Sequence, residues 1–222
     1  MYLRQCFLFI FLYFYLFSHL FIYFYIVVLG NTAREVVRNL HPAGVKKWNV
    51  THYQHYLQNA LGPLKVADVG KVASFYPPMA GLGPQNPASQ LASIITDMRA
   101  ICGTDYKFMV AAINSSQPLY RYIVEDLKDN TPAFAGLDAA AYFDAFDAVE
   151  LTHSEAAIEF QRELREVVWG FVRTGRIPSW GKFPNHTNLL NAKDKAVVEH
   201  YHRDQCEFWR LNAMFPTYAR IN

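Results

Sequence analysis

Residues 96 to 125 read TDMRAICGTDYKFMVAAINSSQPLYRYIVE, and their spacing decides the fold class. Apolar residues recur at helical spacing from Leu91 to Ile101 and again from Tyr106 to Ile113, which predicts two helices. Behind Pro118, Leu119, Tyr120, Tyr122, Ile123 and Val124 form a short β-favouring run. A half-exposed strand would alternate polar and apolar residues. This run barely alternates, so it predicts a strand covered by helices on both faces, as in α/β proteins.

Working outward, four pieces occur in a telling order. They are TDMRAIC (96–102), QPLYRYIVE (117–125), FQRELREVVWGFVRTGRIP (160–178) and QCEFWRL (205–211). Together they resemble the C-terminal part of the type-B carboxylesterase and cholinesterase family of α/β-hydrolases, over roughly residues 49 to 211. The third piece resembles the family's long helix and the turn after it, here Phe171, Thr174, Gly175 and Pro178. The resemblance implies an α/β fold, mostly helical, with one or two strands of an incomplete sheet. It also implies a disulfide between Cys102 and Cys206, because the family places its last disulfide at those two points.

The family's activity is carboxylic-ester hydrolysis by a serine, an acid and a histidine. Its histidine lies in a His-Gly-x-Glu/Asp loop followed by an aromatic pair. The matching residues are Ala135, Gly136, Leu137 and Asp138, then Tyr142 and Phe143, so Ala135 occupies the histidine position. Imidazole takes the serine proton and returns it to the leaving group, and a methyl group does neither. His153 lies 18 residues further along and reads as an exposed residue near a helix start. No two glycines stand four apart, so there is no Gly-x-Ser-x-Gly nucleophile elbow. In the family the serine, the acid and the oxyanion-hole glycines precede the matched region. The expectation is therefore a truncated, inactive hydrolase, with a non-catalytic cholinesterase-like binding or adhesion protein as the alternative.

Residues 1 to 30 are apolar and crowded with Phe and Tyr, which suits a membrane span of about 20 residues. A cleaved signal peptide has a shorter apolar region, and only Gly30 is placed for cleavage. Signal peptide, signal-anchor and translated non-coding sequence stay open as readings of this segment, and membrane contact is expected only through it. The sequons at Asn49, Asn114 and Asn185 join it in pointing to the secretory route, secreted or membrane-anchored.

A net charge of +2 over 222 residues carries no basic cluster beyond Lys46-Lys47, which argues against nucleic acid. No cofactor is implied. Metal is not expected either: His52 and His55 share a helix face without a third ligand, and His200 and His202 fall on different faces. Asp138, Asp144, Asp147 and Glu150 read as a solvated acidic face.

Elsewhere, Thr51 with Gln54 predicts a helix ended by Gly62-Pro63, and residues 76–87 read as loop. Thr152 with Glu155 predicts a helix over 152–173, its core stripe Phe160, Leu164, Val167, Val168 and Phe171, with Glu159, Arg162, Glu163 and Glu166 on the wet face. No partner-binding stripe is read on it. Residues 180–191 read as loop and 193–213 as a last helix. So small a sheet leaves apolar faces and an edge uncovered, which predicts a fragment or a homo- or hetero-oligomer pairing through helices.

Overall fold

The structure, a computed structural model, describes residues 27–34, 44–61, 66–76, 87–190 and 196–212. Strand β1 (Val27–Thr32) is followed by helices α1 (Val50–Ala60), α2 (Val66–Phe75) and α3 (Pro87–Thr96). A π-turn over Asp97–Ile101 leads straight from α3 into α4 (Cys102–Asn114). Strand β2 (Leu119–Val124), α5 (Leu137–Phe143), α6 (Glu155–Thr174), β3 (Thr187–Leu190), β4 (Ala196–Val198) and α7 (Arg203–Leu211) complete the described elements.

The sheet has four strands in the order β1-β2-β3-β4. β1 and β3 run parallel to β2, and β4 runs antiparallel to β3. The sheet is thus larger than the sequence suggests, and three of its strands arise where none was expected. Val27–Gly30, the end of the apolar N-terminal run, belong to β1, while residues 1–26 lie outside the described residues. β3 falls in the stretch read as loop, and β4 precedes α7 in the stretch read as one helix.

β3 escapes notice because it is short and carries Asn188. That side chain is buried and fully used. Its Nδ2 donates to the Arg121 and Gly181 carbonyls, each at 2.9 Å, and its Oδ1 accepts from the Gly181 N–H at 2.8 Å. A buried amide costs little when its donors and acceptor are all paired.

β2 is buried on both faces, as its composition predicts. Tyr120 and Val124 pack with Phe134, Leu137, Phe146, Phe160, Leu164 and Trp180 under α5 and α6. Leu119, on the opposite face, packs against Phe108 of α4 and Phe183. A separate helical core gathers Tyr53, Leu57, Leu61, Val72, Leu91, Ile95, Met98, Phe208 and Trp209.

Helix ends follow local chemistry with two changes from expectation. α1 is capped by Asn49, whose Oδ1 accepts from the His52 N–H, and α6 by Ser154, whose Oγ accepts from the Ala157 N–H. Thr152 stays outside the helix. Gly175 ends α6 in the left-handed conformation at φ 66°, and its N–H reaches the Phe171 carbonyl.

Among the described residues β1 pairs only with β2, so it forms the sheet edge, and no helix is long and apolar enough to cross a membrane. Gly30 faces Tyr122 across the β1–β2 pair, and a Cβ there would overlap the Tyr122 ring. Gly30→Val is therefore expected to cost about 1–3 kcal/mol through overpacking, read as a lower urea midpoint.

Candidate functional site

The loop after β2 carries the residues that resemble a catalytic histidine loop. It is a built structure. Asp126 fixes its entry, accepting from the Ala133 N–H at 3.0 Å and from Arg34 Nη2 at 2.6 Å. The Leu127 N–H donates to the Thr131 carbonyl, and Asn130 takes the turn at φ 64°. Asp129 accepts from Ser154 Oγ at 2.6 Å and from the Thr131 N–H at 2.9 Å, and these bonds hold its carboxyl below the usual carboxylate range. Ala133 and Phe134 then drive into the core, which leaves Ala135 exposed on the turn into α5. Gly136 caps that helix at φ 87°, a left-handed conformation that glycine adopts without strain.

The loop therefore keeps its shape and presents a methyl group at its tip. Beside it, Tyr122 OH donates to Asp138 Oδ2 at 2.8 Å, and Tyr122, Asp138, Ala139, Tyr142, Phe143, Leu164 and Val168 line a shallow cavity of about 290 Å³. This cavity lies beside Tyr122, in the interior of β2, between that strand and helices α5 and α6. Its chemistry is aromatic and apolar with one hydroxyl–carboxylate pair.

The other candidates do not converge on it. His153 Nε2 lies 3.1 Å from Asp147 Oδ1, and its ring stands edge-on to Phe146. Asp144 accepts from Gln161 Nε2 at 2.7 Å, so Asp138, Asp144 and Asp147 go to separate partners. His52 turns to Asn49 and His55 to Asn59. Among the described residues no three His, Cys, Asp or Glu side chains come together as a metal site. Asn49, Asn114 and Asn185 are all exposed.

A second polar centre had no signal in the sequence, because its members lie far apart along the chain. Asp97 is 1% exposed at the start of the π-turn. It accepts from Tyr76 OH at 2.9 Å and faces His202 Nδ1 at 2.9 Å, while Tyr76 OH accepts from Trp209 Nε1 at 2.8 Å. Burial, reinforced by the Asp97 charge, pushes the Tyr76 phenol up. For His202 burial works against the charged form, yet the Asp97 hydrogen bond and charge outweigh it and raise the imidazole above 6.5.

Beside this centre, Cys102 and Cys206 form the disulfide, with Cα atoms 5.0 Å apart across 104 residues of sequence. A disulfide fits an extracellular or secretory location. Arg121, 1% exposed on β2, is balanced by Asp105 at an ion-pair distance of 3.5 Å and donates to the Ile101 carbonyl. Burial raises the Asp105 carboxyl, and Arg121 opposes that rise. Together these contacts bind α7 and the π-turn to the sheet.

The His202–Asp97 pair makes stability depend on pH. A raised folded-state pKa stabilises fully below about pH 6.5 and fades as pH climbs through the raised value. Wild-type protein is thus expected to unfold at lower urea concentration at pH 8.5 than at pH 6, and His202→Gln to flatten that slope.

No protein-family model matches the chain, and no curated protein does either. Solved structures do match. The crystal structure of Aspergillus niger EstA aligns with a TM-score of 0.60 at 16% identity, covering 86% of this chain and 40% of that one. The fold is thus α/β, mostly helical with a four-stranded mixed sheet, and matches part of an α/β-hydrolase. The chain spans about two fifths of the length of the solved structure that it resembles.

Proposed function

We propose that this chain is a catalytically silent relative of the type-B carboxylesterases, corresponding to their C-terminal part. One observation carries the reading: the loop after β2 exposes Ala135, the residue that the resemblance sets at the family's histidine position, where acyl-transfer chemistry needs an imidazole. The four motifs in family order, the Cys102–Cys206 disulfide and the likeness to part of an α/β-hydrolase support the kinship. Kinship and activity are separate matters, since a fold hosts chemistry only through its site.

A binding role is the second reading, and the cavity between Tyr122, Asp138, Tyr142 and Phe143 favours it. Its aromatic walls and single polar pair suit small, largely apolar ligands. The disulfide and the exposed sequon asparagines are consistent with work in the secretory pathway, secreted or anchored through residues 1–30.

Treatment of the purified 222-residue protein with a fluorophosphonate probe tests the loss of chemistry. No covalent adduct by intact mass is the expected result. A stoichiometric adduct on one serine would overturn the reading.

A further inference from the structure

The disulfide has an open side. Cys102 is 1% exposed and packs into the helical core, whereas Cys206 is only partly buried at the margin of that core. Both half-cystines line a cavity of about 390 Å³ between α4 and α7. Thiol–disulfide exchange requires a thiolate to reach one of the two sulfurs, so access decides which one reacts. Exposure singles out Cys206.

The charged groups around the cavity select the thiol. Its two carboxylates are engaged, Asp105 with Arg121 at 3.5 Å and Glu207 with Arg210 at 2.6 and 3.1 Å. Arg203 lines the same cavity and makes no side-chain hydrogen bond or ion pair among the described residues, although the Glu207 carboxylate feels its charge. Three guanidinium groups thus stand against two carboxylates, and the surplus is positive. His200 lines the cavity too and adds to that surplus when protonated, while Tyr106 and Met109 supply an apolar wall. A positive cleft raises the local concentration of anions and with it their rate of entry. Small anionic thiols fit the cavity better than neutral or cationic ones.

We infer that Cys206 is a thiolation site for small anionic thiols, reached through the cavity between α4 and α7. The attacking sulfur bonds to Cys206 Sγ as the Cys102–Cys206 bond breaks. The electron pair leaves on Cys102 Sγ, which takes from water the proton that the attacking thiol gave up. A second thiolate frees Cys206 and departs as the small molecule's own disulfide, so the thiol is itself the reductant. The adduct opens the bridge across 104 residues of sequence while Trp209 and His202 still hold α7. The inference is independent of hydrolytic chemistry, since neither Ala135 nor any serine takes part.

Reaction of the oxidised full chain with reduced glutathione, which is anionic, and in parallel with neutral 2-mercaptoethanol tests it, with rates read by intact mass and the site by peptide mapping after an acid quench. One glutathione on Cys206, with Cys102 a free thiol, is the expected product. Arg203→Gln is expected to slow the glutathione reaction about threefold to tenfold and to leave the 2-mercaptoethanol rate unchanged. High salt should slow glutathione selectively in the wild type. Arg173→Gln, on α6 outside the cavity, removes the same charge and should change neither rate. Glutathione on Cys102, no adduct on the folded chain under conditions that modify the urea-unfolded chain, equal slowing of both thiols by Arg203→Gln, or an equal effect from Arg173→Gln would each overturn the inference.

Discussion

Replacing both half-cystines, Cys102→Ala with Cys206→Ala, is expected to lower unfolding stability by about 4–5 kcal/mol, the largest single effect in this chain. The bridge closes a loop of 104 residues, and on the chain-entropy account a loop of that size restrains the unfolded ensemble by about that amount. The location makes the loss concentrated. Cys102 opens α4 directly after the π-turn, and Cys206 sits in α7, so the bridge joins the helical core at its two ends. Urea titration of the oxidised and double-alanine proteins gives the difference. A loss below about 1 kcal/mol would mean that the unfolded chain keeps enough residual structure to make the cross-link redundant.

The second large effect is at Trp209. It is 0% exposed, packs with Tyr76 at 6.4 Å and with Phe208 at 5.1 Å, and donates its indole N–H to Tyr76 OH. Trp209→Ala is expected to cost about 3–5 kcal/mol, the range for emptying a large aromatic site. It also removes one of the bonds of the Tyr76–Asp97–His202 chain. Trp209→Phe separates the two contributions, because it keeps most of the ring and loses the donor. Its expected cost is nearer the 1–3 kcal/mol of a buried partner left unsatisfied. Equal costs for the two variants would show that the hydrogen bond, and not the volume, dominates.

These sites show what the amino-acid pattern can and cannot announce. β2 was legible because a nearly continuous apolar run has few other structural meanings. α6 was legible because its core stripe is long and its stop at Gly175 is local. The cysteine pair came from resemblance alone, since spacing does not fix connectivity. β1 was hidden because Val27–Gly30 end an apolar run that reads equally well as a membrane or signal segment. β3 and β4 were hidden because four and three residues carry too little periodicity, and Asn188 looks like a loop residue until its partners are seen. The Asp97–His202 pair spans 105 residues of sequence, beyond any local pattern.

For the candidate site, sequence and structure contribute different halves. The residue identity at 135 is a sequence fact, and the resemblance is what sets it at the family's histidine position. The structure adds that the loop around it is intact, held by Asp126, Asp129 and the Gly136 cap, so the alanine occupies an ordered position. Among the described residues His153, the next histidine along the chain, is engaged with Asp147.

The most direct measurement is turnover of a chromogenic short-chain ester by the full chain, wild type and Ala135→His side by side. Restoring the imidazole alone leaves no serine elbow for it to activate, so both proteins should match the buffer rate. Turnover above buffer in the wild type, abolished by a serine reagent, would contradict the account.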